Sequence, residues 1–351
     1  MQMEDLQREE LLRIEHLSVT FTQYDGWFSR KILPVIRDLS LRVSRGEIVA
    51  VVGSSGSGKS LLAHAVMGVL PYNGSCGGDI YYKGKQLTTK RIKQLRGNKI
   101  VLVPQSVSYL DPLMKVGEQV AGGKDRISLE KSRKALARYG LDKEVDNMYP
   151  FELSGGMARR VLIGTAVVEK PELVIADEPT PGLHMEAAVR VLSHFREIAD
   201  EGAGVLLITH DLELALKTAD RIVVFYAGTA VEEAACVDFD QEAALRHPYT
   251  RALFRAMPEH GFAPEPGIQP YVRDLPERCP YGPRCPKYRE ECSKEISYVS
   301  YQGGLVRCIC PGDEKEILPG ILSKSEVLKE KMTSEPSSGE CSVCGKEGAG
   351  L

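Results

Sequence analysis

The chain has 351 residues, room for one large domain with an appendage or for two domains. Its 43% hydrophobic and 26% charged content is that of an ordinary globular protein. A formal net charge of −3 offers no basic face for a phosphate backbone, so nucleic acid is excluded as an expected partner. The acidic, polar opening MQMEDLQREELLRIEHL has no basic-then-apolar leader. No apolar run approaches the roughly 20 residues that cross a bilayer. The expectation is a cytosolic chain unless a partner holds it at a membrane. In such a reducing compartment, nine cysteines are expected as thiols or metal ligands rather than disulfides.

In chain order, LLRIEHLSVTF (11–21) alternates as a strand. LSLRVSRGEIVAVVG (39–53) reads as two strands joined by a turn at Arg45 and Gly46. KSLLAHAVMGVL (59–70) has helical spacing and is expected to end near Pro71. IVLVPQ (100–105) is a short buried strand. Helical character then takes over from about 106 to 165. Within it, SLEKSRKALARYG (128–140) is a helix with Gly140 as its C-cap. ELVIADEP (172–179) and GVLLITH (204–210) are buried strands, each followed by a helix (184–202 and 211–220). Alternating strands and helices predict an α/β core with a mainly parallel sheet. After RHPYTRALFRAMP (246–258) the composition turns to Pro, Gly and Cys, and the final residues read as a flexible polar tail. The expected division is 1–250 for the core, 251–325 for a cysteine-bearing extension and 326–351 for the tail.

GSSGSGKS supplies Gly53, Ser54, Ser55, Gly56, Ser57, Gly58, Lys59 and Ser60 in the spacing of a phosphate-binding loop, between a strand and a helix. Small residues let backbone N–H groups wrap an anion, and the helix N-terminus adds positive potential. Lys59 can reach the β- and γ-phosphates, and Ser60 can ligate Mg²⁺. The strand LVIAD ends in Asp177, suited to the Mg²⁺ shell, and Glu178 follows, suited to polarise an attacking water. LSGGM (153–157) puts Ser154, Gly155 and Gly156 at a helix start, a second anion cradle. One nucleotide does not need two cradles from one chain, so this one is expected to close over ATP held by another subunit.

These motifs, in this order, make the chain resemble the ATP-binding subunits of ABC transporters over residues 12–257. The resemblance implies a P-loop NTPase fold of ABC type: a mainly parallel α/β core, an antiparallel β subdomain and a helical subdomain. It makes Gln105 the glutamine-loop residue that senses Mg²⁺ and the γ-phosphate, and His210 the switch histidine. Phe21, with Tyr24 as runner-up, matches the aromatic that stacks on adenine, although TQYDGWFSRKILPV (22–35) is longer than the usual linker. PQSVSYLDPLMKVGEQV, YPFELSGGMARRVLIG and RHPYTRAL resemble the dipeptide, oligopeptide and nickel importer branch. That resemblance implies an ATP hydrolase powering solute uptake at the cytoplasmic face of the membrane. It further implies a second ATPase subunit, often a paralogue, two transmembrane permease subunits, and indirectly a solute-binding protein. The surface near residues 105–120 would carry motion to the permeases. The alternative is a soluble ABC ATPase without a transport role, such as an accessory of carbon–phosphorus bond cleavage.

The branch also implies that Cys279, Cys285, Cys292 and Cys308, spaced C-x5-C-x6-C-x15-C, ligate a [4Fe–4S] cluster. Thiolate is the right donor for iron–sulfur or zinc. Cys310 could replace Cys308. Cys76 and Cys236 are expected as ordinary thiols, and Cys341 with Cys344, a C-x2-C pair, as unstructured, with a second metal site as the alternative. The chain departs from the family where His184 takes the usual Asp position after ADEPTPGL, and where Ala158 and Arg159 follow LSGGM. Those departures bear on communication across a dimer.

Overall fold

The computed structural model describes residues 8–321 apart from 26–28, 123–124, 272–273, 277 and 319–320. Cys341, Cys344 and the expected tail lie outside the described residues.

The expected alternation of strand and helix is the observed architecture. Strands β3 (Ile48–Val52), β6 (Ile100–Val103), β7 (Leu173–Asp177) and β8 (Gly204–Thr209) are apolar runs buried on both faces, as parallel strands sandwiched by helices must be. With β9 (Arg221–Tyr226) they form a parallel sheet in the spatial order β6-β7-β8-β3-β9. Helix α1 (Lys59–Met67) follows β3, and Gly68, at φ 63°, closes it earlier than the expected Pro71. Helix α6 (Met185–Asp200) lies between β7 and β8. Its Val191, Leu192, Phe195 and Ile198 pack on the sheet, the apolar stripe written at helical spacing in the sequence.

The antiparallel part is built from β1 (Glu10–Asp25), β2 (Ser29–Ser44), β4 (Gly74–Tyr82) and β5 (Lys85–Gln86). The segment that looked like an overlong linker lengthens both arms of the β1–β2 hairpin, with pairing out to Asp25 and Ser29. The helical part comprises α2 (Thr89–Leu95), before β6, and then α3 (Val116–Ala121), α4 (Arg126–Arg138) and α5 (Gly155–Val167). The last three pack around Leu110, Val116, Val120, Leu136, Val161 and Leu162, a separate small core. Gly140 has φ 65°, consistent with the expected stop of α4.

The sequence reading did not single out β9 or β10 (Thr229–Ala235), an antiparallel pair. Helix α7 (Leu212–Leu216) is shorter than expected. The expected boundary at residue 250 falls inside α8 (Pro248–Ala256), whose Tyr249 and Phe254 belong to the same apolar cluster as the main sheet. The cysteine-bearing segment is joined to that sheet as well. Its hairpin of β11 (Val299–Tyr301) and β12 (Gly304–Val306) adds to β10 through Glu232–Val306 and Glu233–Leu305 pairs. Ion pairs reinforce the seam: Arg246 meets Glu232 and Asp238 in a buried group, and Arg307 meets Asp38 at 2.8 Å. No helix among the described residues is long and apolar enough to cross a membrane.

Candidate functional site

Four neighbouring parallel strands deliver the predicted residues to one edge. β3 runs into the phosphate loop, β6 leads to Gln105, β7 ends in Asp177 and Glu178, and β8 leads to His210. The carboxyl ends of parallel strands are where α/β sheets bind ligands.

The loop's glycines have individual reasons. A Cβ at Gly53 would lie 2.1 Å from the Phe225 carbonyl oxygen, and Gly58 combines φ 98° with the Val35 side chain close by. Lys59 is the first residue of α1 and is almost fully buried. Its Nζ donates to the carbonyls of Gly53 (2.7 Å) and Ser54 (2.9 Å), which curls the loop around the ammonium. Burial pushes the Lys59 pKa down, and the Glu178 and Asp177 carboxylates oppose the shift. The Ser57 hydroxyl is buried without a hydrogen-bond partner, an orphan of the kind a bound anion satisfies. Ser55 and Gly56 face solvent at the tip.

Ser60 Oγ donates to Asp177 Oδ1 at 3.0 Å. Burial raises the Asp177 pKa, and the Ser60 hydrogen bond opposes the rise. A hydroxyl and a desolvated carboxylate side by side are the oxygen donors a Mg²⁺ ion takes, and the donor set fits that ion.

Glu178 is the hub. Its φ of 44° is unusual for a non-glycine residue, and its N–H is tied to Ile208 O at 2.8 Å. One carboxylate oxygen lies 3.1 Å from His210 Nδ1 and receives Gln105 Nε2 at 3.4 Å, and the other lies 3.9 Å from Lys59 Nζ. The structure thus brings Lys59, Gln105, Asp177, Glu178 and His210 together at one end of the sheet.

Ser154 caps α5, its Oγ accepting from Met157 N at 3.3 Å, and Gly155 has no atom near its absent Cβ. This second cradle faces open space. Phe21 is half-buried, its ring against Gly74, whereas Tyr24 is exposed with the Arg30 guanidinium 5.4 Å from its ring centre. His184 caps α6, with Nδ1 accepting from Ala187 N at 3.3 Å. The imidazole does there what an aspartate would do as a cap. Arg159 turns inward and donates to Pro104 O, beside Gln105. Sequence reasoning saw these two positions as departures without seeing their local roles.

Cys279, Cys285, Cys292, Cys308 and Cys310 line a single enclosed space of about 10 Å³, with His247 and Tyr281 on its wall. Burial pushes all four predicted ligands up, Cys285 to about 11 and Cys308 to about 12, and repulsion from neighbouring thiolates adds to the rise. Cys308 feels Cys279, Cys285 and Cys292, whereas Cys310 is buried among Cys292, Ile296, Ile309 and Ile321. The donor chemistry fits a thiophilic metal. Among the described residues, however, no group of three or more His, Cys, Asp or Glu side chains is arranged to hold a metal ion. Cys236 is a free thiol, as expected. Cys76 corrects the expectation of an ordinary thiol: it is disulfide-bonded.

A family model described as ABC transporter matches residues 36–181, and one described as oligopeptide/dipeptide transporter, C-terminal region, matches residues 231–292. The chain is 33% identical over 328 residues to the oligopeptide transport ATP-binding protein OppD of Escherichia coli K12, covering 88% of this chain and 95% of that one. It is 33% identical over 332 residues to the probable D,D-dipeptide transport ATP-binding protein DdpD of the same organism, covering 88% of this chain and 99% of the relative. In fold it is similar to a dimeric bacterial ABC transporter cassette, with a TM-score of 0.57 and 24% identity over 64% of this chain and 99% of that chain. The strand-end cluster, the cap-and-cradle helix and the C-terminal match together establish that the chain belongs to the oligopeptide/dipeptide branch of the ABC transporter ATP-binding family.

Proposed function

We propose that the chain binds and hydrolyses ATP to power a membrane importer of di- or oligopeptides, or of a related small solute such as nickel. The observation that carries this reading is the convergence of Lys59, Gln105 and His210 on the Glu178 carboxylate. Those donors gather on an anion where a γ-phosphate would arrive. With the phosphate in their place, Glu178 is free to take a proton from water, and Lys59 and His210 stabilise charge on the phosphoryl oxygens. Gly53 to Ser60 would wrap the phosphates, and Phe21 or Tyr24 would stack on adenine. Ser60, Asp177 and Gln105 would hold Mg²⁺, which when bound offsets phosphate charge.

The open Ser154-Gly155-Gly156 cradle supports a second ATPase subunit, its phosphate loop seated against this cradle. Apolar exposure at Tyr109 (66%) and Leu113 (87%), just beyond Gln105, supports a permease docking face. On this reading the chain works at the cytoplasmic face of the membrane. The match to the oligopeptide/dipeptide C-terminal region favours transport over a soluble accessory role.

The cysteine segment is read as a [4Fe–4S] site with Cys279, Cys285, Cys292 and Cys308 as ligands, supported by thiolate donor chemistry and by the four lining one common space. Anaerobic co-purification tests the whole reading. ATPase activity, bound multi-span subunits and about four irons per chain are expected. A preparation that neither hydrolyses ATP nor retains membrane subunits overturns the transport reading. Stoichiometric zinc, or no metal, overturns the cluster.

A further inference from the structure

One polar residue of the extension reaches the phosphate loop itself. Ser54 Oγ donates to Gln269 Oε1, a contact across 215 positions of sequence. Ser54 also lies beside Tyr249, whose phenol burial pushes up to about 12 against the opposing effect of Ser54. Ser54 stands at the strand-side base of the loop, before Gly56 (φ 78°) and Gly58 (φ 98°) curl the chain.

Both partners of Ser54 lead back to the loop between Cys279 and Cys285. Tyr249 packs 5.4 Å, ring centre to ring centre, from Tyr281, which lies between those cysteines in sequence. Gln269 rides on a strap that the same loop clamps: Arg284 donates to Pro266 O (3.2 Å) and Glu265 O (3.3 Å), and the Tyr281 hydroxyl bonds the Glu265 carboxylate. Arg284 Nη1 also meets the Tyr226 hydroxyl at 3.4 Å. Two short routes therefore connect the cysteine-bearing loop to one serine of the phosphate loop.

We propose that Gln269 is a positioning residue for nucleotide binding, through which the Cys279–Cys285 loop holds the phosphate loop in its binding shape at Ser54. This rests on the phosphate-site reading above but not on any metal. A held loop loses less conformational freedom when the phosphates arrive, so the contact strengthens binding without touching the transferred phosphoryl group.

The test is the equilibrium affinity of the full chain for a fluorescent ATP analogue, with steady-state ATPase kinetics in the assembled complex. Gln269→Ala should raise Kd and KM for ATP roughly three- to tenfold, the size expected from one lost neutral hydrogen bond, with kcat unchanged. Ser54→Ala should also raise Kd, and the double variant should bind no more weakly than the weaker single one. Arg284→Met, which frees the strap and leaves the cysteines, should weaken binding in the wild-type background and have little effect in Gln269→Ala. Unchanged affinity in Gln269→Ala, or additive losses in the double variant, overturns the proposal. Failure of the wild-type chain to bind ATP would instead overturn the phosphate-site reading.

Discussion

Arg159, buried in helix α5, donates from Nη1 to the carbonyl of Pro104 at 3.0 Å, directly before Gln105. One side chain thereby joins the helix that opens with the Ser154 cradle to the strand end that carries the glutamine. Burial alone depresses its pKa. Arg159→Ala removes a charged donor from a half-buried carbonyl, and a loss of about 1–2 kcal/mol is expected in chemical denaturation. Arg159→Gln, which keeps an amide donor on a shorter side chain, should recover part of it.

Glu178→Gln keeps the shape and hydrogen-bonding reach of the hub but removes the base. ATP binding is expected to persist while turnover falls by at least about 100-fold. Nucleotide binding and phosphate release, measured separately, distinguish these effects. Undiminished turnover would mean that Glu178 is not the base.

His184 acts as a cap whatever its role across a dimer. His184→Ala should cost about 1 kcal/mol of stability through the exposed start of α6, whereas His184→Asp should restore the cap and keep wild-type stability. Thermal melts of the three proteins check this.

His247 is fully enclosed, caps α8 by accepting from Tyr249 N at 3.0 Å, and has its pKa pushed down to about 3 by burial. The unfolded chain, with an ordinary value of 6.5, binds the extra proton as pH falls below that value. Stability from this residue is therefore complete above about pH 6.5 and declines toward pH 3, at up to about 1.4 kcal/mol per pH unit. His247→Asn keeps a cap acceptor and does not titrate. Urea midpoints from pH 7 to pH 4.5 should fall less steeply in that variant than in the wild type.

The nucleotide site was legible because its chemistry is local. A loop that must wrap an anion needs small residues within a few positions, and a buried strand ending in two acids stands out in any apolar background. The helices were legible for the same reason: α4 and α6 carry their stripe and their stop within one segment. The strands β9 and β10 were passed over, because nothing local in their residues says which neighbour they pair with. The exit of Lys59, Gln105, Glu178 and His210 at one edge depends on the order β6-β7-β8-β3, which no single stretch encodes.

The cysteine spacing was read from the sequence alone, including which branch it resembles. What only the tertiary structure decided is where that segment sits. It adds β12 to β10, seats Tyr281 in the main apolar cluster and carries Gln269 to Ser54. The physical reason is that sheet addition, ring packing and single hydrogen bonds between distant segments depend on register and enclosure. Those properties exist only once the chain has folded, whereas motif chemistry is already present in consecutive residues.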